Sequence, residues 1–167
     1  ASGGGKLKEF TQAGAEIIGV SGEAVDAEII SRAIMLAKSI GMEAFLIDIC
    51  QVEFFKGIIE EAGFSEAEGE EIRRMVDGKQ ISNLEILLRN KQIPDTLREL
   101  IIRLPNLFGG VEVLDAAEKY TTNARSLSAI SYLRKVLRLI DNAGLSSYVS
   151  VDLGMVSSLN YYTGIIF

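Results

Sequence analysis

The sequence predicts an α+β fold in which an antiparallel sheet carries a block of helices, and three observations predict it. Apolar residues alternate with period two near both ends of the chain. They recur at helical spacing through its middle. No repeated strand–helix alternation, the mark of a parallel nucleotide-binding sheet, interrupts that order. The chain has 167 residues and 18.2 kDa, room for one domain over 1–167.

Taken in order, Ala1-Ser2-Gly3-Gly4-Gly5 reads as a flexible lead-in. Residues 6–20 read as extended, with Phe10, Gln12, Gly14, Glu16 and Ile18 on one strand face. Residues 24–40 switch to helical spacing, with Val25, Ile29, Ala33, Leu36 and Ile40 as the apolar stripe and Gly41 suited to the position past the helix end. The short run Ala44 to Cys50 is apolar and β-rich, which predicts a buried strand. A helical block follows over 53–143. Ser65 with Glu68, and Ser82 with Glu85, have the capping-box spacing. Pro94 opens a helix facing inward through Leu97, Leu100, Ile101 and Leu104, and Pro105 ends it. Asn123 caps a long helix carrying Leu127, Ile130, Leu133, Leu137 and Ile140, and Gly144 closes it. Extended segments return at 148–153 and 158–167. The apolar end Gly164-Ile165-Ile166-Phe167 predicts a piece of a longer protein, because an unfinished strand presents a sticky edge.

Composition excludes several function classes. Hydrophobic residues make up 48% and charged residues 24%, a soluble globular mix, and mean hydropathy is +0.23. No apolar run approaches the ~20 residues of a spanning helix, so no membrane role is expected. Seventeen basic and twenty-three acidic residues give −6 and a pI near 4.8, a poor balance for nucleic-acid binding. The single Cys50 cannot close an internal disulfide, which fits a reducing cytoplasm. No histidine is present, so Ser-His and Cys-His nucleophiles and imidazole metal sites are out, and no metal or cofactor is expected.

Among possible sites, Gly3-Gly4-Gly5-Lys6 lacks the spacing of a phosphate loop. Gln12 and Glu16 are more informative. They project from one strand face with Gly14 between them, which leaves a polar-walled floor for a small ligand or, the commoner arrangement for such a pattern, the exposed face of an antiparallel sheet with a bulge at Gly14. Near the other end, Asn160, Tyr162 and Gly164 share one face and Leu159, Tyr161, Thr163 and Ile165 the other, so alternation points one tyrosine at any given pocket. The acidic run from Glu60 to Glu71 lacks calcium-loop spacing and reads as a solvated helical face. Arg134, Lys135 and Arg138 beside Asp141 suit a helix C-terminus, with an anionic ligand as the alternative.

Phe10-Thr-Gln-Ala-Gly-Ala-Glu16, Asp26-Ala-Glu-Ile-Ile30 and Leu159-Asn-Tyr-Tyr-Thr-Gly164 together resemble the class II core of histidyl-tRNA synthetases. The resemblance is closer to the synthetase-like regulatory subunits of ATP phosphoribosyltransferase. That family carries Glu-Phe-Thr-Gln-Ala-Gly-Ala-Glu, Leu-Pro-x-Leu-x-Gly-Gly (here Leu104 to Gly110) and Asp-Leu-Gly-x-Val-x-x-Leu-x-Tyr-Tyr-Thr-Gly (here Asp152 to Gly164). The resemblance implies a class II synthetase-like fold and a histidine site. Gln12 would contact the amino-acid end, Glu16 would accept from the imidazole, and Tyr161 and Tyr162 would lie beside the ring, with alternation favouring Tyr162.

One departure has chemical weight. The synthetase motif Leu-Val-Arg-Gly-Leu-Asp-Tyr-Tyr places arginine where this chain has Ser157, glycine at Ser158 and aspartate at Asn160. A hydroxyl cannot spread positive charge over a developing phosphate charge as a guanidinium does. The implied function is therefore a non-catalytic regulatory subunit that binds L-histidine, works with a separate catalytic subunit, and assembles with it and with its own copies in the cytoplasm. The alternatives are a histidyl-tRNA synthetase core and a synthetase-like scaffold that binds only a protein partner through residues 53–143.

Overall fold

A computed structural model describes residues 12, 14–156 and 163–167. Its frame is set where two helices cross at van der Waals distance. Helix α1 (Glu23–Ser39) leads to strand β1 (Ile47–Gln51), which runs straight into α2 (Val52–Glu61). Three shorter helices follow, α3 (Glu66–Asp77), α4 (Ile81–Arg89) and α5 (Asp95–Arg103). A 3-10 turn at Leu104–Asn106 leads to β2 (Phe108–Gly109), α6 (Glu112–Glu118) and the long α7 (Ala124–Asn142). A second 3-10 turn at Ser146–Tyr148 precedes β3 (Val149–Asp152), and β4 (Ile165–Ile166) ends the chain.

The strand order is β2-β3-β1-β4. Both outer pairs are antiparallel, but the central pair, β1 with β3, is parallel, with Ile47 opposite Val149 and Ile49 opposite Val151. The α+β class stands, and the all-antiparallel sheet is corrected to a mixed one. A parallel neighbour requires a crossover, and the helical block over 52–148 is one long enough to return the chain in the same direction.

At the α2–α7 crossing, Ser126 Oγ donates to the Phe54 carbonyl oxygen at 2.9 Å in a buried environment. Gly57 permits this approach. A Cβ there would stand 2.3 Å from Ser126 Oγ and 2.8 Å from the Ser126 backbone nitrogen. Asn123 caps α7 as expected, accepting from the Arg125 and Ser126 backbone N–H groups. The capping loop is held in turn by Glu61 of α2. Its two carboxylate oxygens accept from the Thr122 N–H at 3.0 Å, the Thr122 hydroxyl at 2.7 Å, the Asn123 N–H at 3.3 Å and the Thr121 hydroxyl. Burial opposes ionisation of Glu61, but these donors prevail and hold its carboxyl below the usual value.

Helix α1 packs on the other side of α7, where the Tyr132 hydroxyl donates to Asp26 at 2.8 Å. Its buried stripe is Ala27, Ile30 and Ile34, rotated from the expected one, so that Leu36 and Ile40 are exposed. Several registers on a helix this apolar look alike in sequence, and packing against α7 selects one. Gly41 and Gly144 take positive φ of 87° and 70° past their helices, the geometry that ends a helix without a Cβ clash. Ser65 and Glu68 form the expected capping box on α3. The second expected box does not form. Lys79 adopts φ of 51°, the helix starts at Ile81 with Gln80 as its cap, and Ser82 falls inside the first turn. Pro94 precedes α5, whose Leu97, Leu100 and Ile101 are buried, and Pro105 sits in the 3-10 turn that ends it.

Replacing Gly57 by alanine is expected to lower unfolding free energy by ~2–3 kcal/mol, because the new methyl would collide at once with Ser126 Oγ, Asn123 Oδ1 and the Ser126 backbone nitrogen, the groups that cap α7 and bond to α2. Urea denaturation of the two proteins measures it. Glu61→Gln replaces an acceptor oxygen with an NH2 group facing donors. Because the folded carboxyl titrates lower than the unfolded one, its contribution is complete above the unfolded value near 4.5 and is lost as pH falls through the folded value. The mutant's deficit in Tm is therefore expected to be largest near neutral pH and to shrink in acid.

Candidate functional site

Two of the three motifs that carry the family resemblance pack against each other. Phe108 and Gly109 of β2 pair with Asp152 and Val151 of β3, and the Leu153 N–H donates to the Leu107 carbonyl oxygen at 3.0 Å. The chain then turns tightly, with the Gly154 N–H donating to Asp152 Oδ1 at 2.8 Å. A side chain at 154 would place its Cβ 2.5 Å from the Leu104 carbonyl oxygen, so glycine is required by the neighbouring motif. Just past the turn, the Val156 carbonyl oxygen accepts from Arg73 Nη1 at 3.0 Å, and Glu70 holds that guanidinium from its other side. The chain re-enters the described structure beside β1. The Val52 N–H donates to the Gly164 carbonyl oxygen at 3.1 Å, and Ile165 and Ile166 pair with Gln51 and Cys50. Both flanks of the tyrosine-bearing segment are thus tied to the sheet and its helices.

The central strands place a polar cluster beside these flanks. Asp48 and Ser150 are cross-strand partners, and the Ser150 hydroxyl donates to Asp48. Burial, together with the nearby charge of Asp48, pushes the Asp152 carboxyl above its usual range. The Gly154 N–H and Lys79 pull the other way. Lys79 also sits over the exposed Phe108 ring, 5.6 Å from its centroid. This cluster holds hydrogen-bond acceptors and a cation, but no activated nucleophile. Cys50 is buried, and burial first, then Asp152, pushes its thiol up to about 12, so it stays protonated. Sequence reasoning passed over Asp48, although it is the single polar residue in the run from Ala44 to Cys50.

The four expected ligand residues are not assembled by the described structure. Gln12 and Glu16 are exposed and belong to no strand. The strand expected over 6–20 is absent through residues 14–20, while 6–11 and 13 lie outside the described residues. A strand persists where a neighbour takes up its backbone N–H and C=O groups, and no described strand runs alongside this segment. Tyr161 and Tyr162, with Ser157, Ser158 and Asn160, also lie outside the described residues. Of the basic trio on α7, Arg134 is paired with Asp115 and Glu118, and Lys135 with Glu23.

Comparison with known proteins agrees with the motifs. The family model described as histidyl-tRNA synthetase matches residues 1–167. An ATP phosphoribosyltransferase regulatory subunit from Acetivibrio thermocellus is 54% identical over 99% of this chain, and one from Ruminiclostridium cellulolyticum is 48% identical over 99%. The chain spans about two fifths of the length of these relatives, 40% and 39% respectively. Among solved structures, an ATP phosphoribosyltransferase regulatory subunit/histidyl-tRNA synthetase from Bacillus halodurans superposes with TM-score 0.79 at 22% identity, covering 88% of this chain and 39% of that one. Histidyl-tRNA synthetase from Nostoc gives 0.73 at 20% identity, covering 87% and 36%. The chain belongs to the histidyl-tRNA synthetase family, has its class II core fold, and groups by sequence with the regulatory subunits of ATP phosphoribosyltransferase.

If the Leu104–Gly154 approach locks the two motifs together, Gly154→Ala is expected to destabilise the domain by ~2–3 kcal/mol. The backbone amides of Leu153 and Gly154 should exchange hydrogen faster in that variant, and unchanged protection there would count against the packing argument.

Proposed function

We propose that this chain belongs to a histidine-sensing regulatory subunit of ATP phosphoribosyltransferase and contributes no catalytic group of its own. The observation that carries this reading is the match, over nearly the whole chain, to relatives named as that subunit. Ser157 supports it from chemistry. The family's synthetases have arginine at this position, and a neutral hydroxyl there leaves ATP activation without its charge partner.

In this reading L-histidine is held by Gln12 at its amino-acid end and by Glu16 at an imidazole N–H, with Tyr161 and Tyr162 beside the ring. A carboxylate and a carboxamide suit that ligand, since together they accept from its N–H groups and donate to its carboxylate. A separate catalytic subunit joins ATP to phosphoribosyl pyrophosphate in the cytoplasm, and the histidine-bound chain modulates it within an assembly of both subunits. Feedback of this kind requires histidine to bind one state of that assembly better than another. The acidic balance of −6 argues against a tRNA as partner. Among the described residues, no helix is long and apolar enough to cross a membrane.

A second reading, a histidyl-tRNA synthetase core, is favoured by the family model's own description. The two differ in chemistry, because a synthetase releases pyrophosphate from ATP when histidine is added.

Calorimetric titration with L-histidine tests the proposal. Saturable binding is expected, weakened at least ~10-fold by Glu16→Ala through loss of a charged hydrogen bond. Pyrophosphate should not appear when ATP is added. With the catalytic subunit present, histidine should change the rate of the phosphoribosyl transfer for the unaltered chain and not for Glu16→Ala. Equal inhibition of both complexes would overturn the assignment of histidine to Glu16, and pyrophosphate release would establish the synthetase reading instead.

A further inference from the structure

A cavity of about 490 Å³ opens between the last turns of α7, the start of β3 and the Gly110–Val111 corner before α6. That volume lies in the range of small-molecule sites. It shares no residue with the Gln12, Glu16, Tyr161 and Tyr162 set, so it does not depend on the histidine reading. Its walls include Leu137, Val149 and Val151, all packed into or against the core, with Val111 at its edge. The polar wall comes from Arg134 and Arg138, one helical turn apart on the same face of α7, and from Asp141, Ser146 and Ser150.

The two arginines differ in what they have left to offer. Arg134 is engaged by Asp115 at 2.6 Å and Glu118 at 2.8 Å. Arg125, the remaining arginine of α7, is engaged by Glu53. Arg138, exposed at the cavity mouth beside Asp141, forms no ion pair with a carboxylate among the described residues, in a chain that carries six more acidic than basic side chains. A guanidinium left unpaired at the wall of an apolar cavity offers a planar fork to an anion, while the valine and leucine walls offer nothing to a bare, strongly hydrated ion.

We infer that this cavity is a binding site for a small organic anion with an apolar body, such as an aryl or alkyl carboxylate or phosphate ester, whose charged group meets Arg138. Occupancy places the ligand against Val149 and Val151 of β3, the strand that runs into the Asp152–Gly154 turn. The site therefore lies against the strand that leads into the Asp152–Gly154 turn.

The probe is 8-anilinonaphthalene-1-sulfonate, an aromatic sulfonate whose fluorescence rises in apolar surroundings, compared with its uncharged relative N-phenyl-1-naphthylamine. Saturable 1:1 binding of the sulfonate is expected. Arg138→Ala should weaken it about tenfold, and Arg138→Glu, which reverses the charge, should weaken it further. The uncharged probe should bind all three proteins alike. Val111→Trp, at a position 52% exposed, should block both probes by filling the mouth, and thermal melting checks that each variant is folded. Phenyl phosphate or benzoate should displace the sulfonate, their ranking naming the preferred head group, while inorganic phosphate should not. Sulfonate binding untouched by Arg138→Glu and by folded Val111→Trp would place the probe elsewhere and overturn the assignment. Displacement by inorganic phosphate as effective as by phenyl phosphate would do the same.

Discussion

The contact between α2 and α7 at Gly57 and Ser126 is the constraint on which the remaining architecture rests. Because a glycine lets the axes approach, the Ser126 hydroxyl reaches a backbone carbonyl that would otherwise be buried behind a side chain. Once α7 is seated, its other faces are committed. One receives α1 through Tyr132 and Asp26, another receives α6 through Arg134, and its C-terminal end delivers the chain to β3. Glu61 secures the entry to α7 by gathering four donors on one carboxylate, so the helix starts where α2 dictates.

That placement explains the mixed sheet. β1 and β3 are separated by the helical block, and α2 and α7, which leave and enter them, lie side by side. Two strands attached to adjacent helices of this crossover run the same way, and the parallel pairing follows from the crossover rather than from any feature of the strands themselves. The short antiparallel partners on either side then bring the Leu104–Gly110 motif against Asp152–Gly154, and bring the chain end beside β1. A family motif that reads in sequence as a string of glycines and apolar residues is, in space, a clamp on the strand carrying the next motif.

The described residues near the sheet present carboxylates, a lysine and a serine, while the thiol is buried and protonated. Ser157 stands where the synthetase motif that this segment resembles has arginine. Recognition depends on hydrogen-bond complementarity, whereas catalysis depends on stabilising charge that appears only in the transition state. The α7 cavity sets arginine side chains beside apolar walls.

Local patterns were legible where one segment decides them. The capping box at Ser65, the cap at Asn123, the glycine stops at 41 and 144, and the inward residues of α5 all depend on neighbours within a turn or two, and the structure shows them as expected, whereas on α7 Ile130, Leu133 and Ile140 are buried but Leu127 and Leu137 are only partly so, with Ser126, Ala129 and Val136 buried instead. The family was legible too, since three motifs in order are a long-range pattern that no single helix imitates. Tertiary contact decided what local pattern left degenerate. It selected Ala27, Ile30 and Ile34 as the buried stripe of α1, moved the start of α4 to Ile81 through the turn at Lys79, and made the central strand pair parallel. The expected strand at 6–20 marks the limit most clearly. Alternation names residues able to sit in a sheet, but a strand exists only when another supplies its hydrogen bonds, and residues 14–20 have no such neighbour among the described strands. For Gln12 and Glu16 the sequence supplies residue type but not position, because any convergence of side chains on a common ligand depends on segments far apart in the chain.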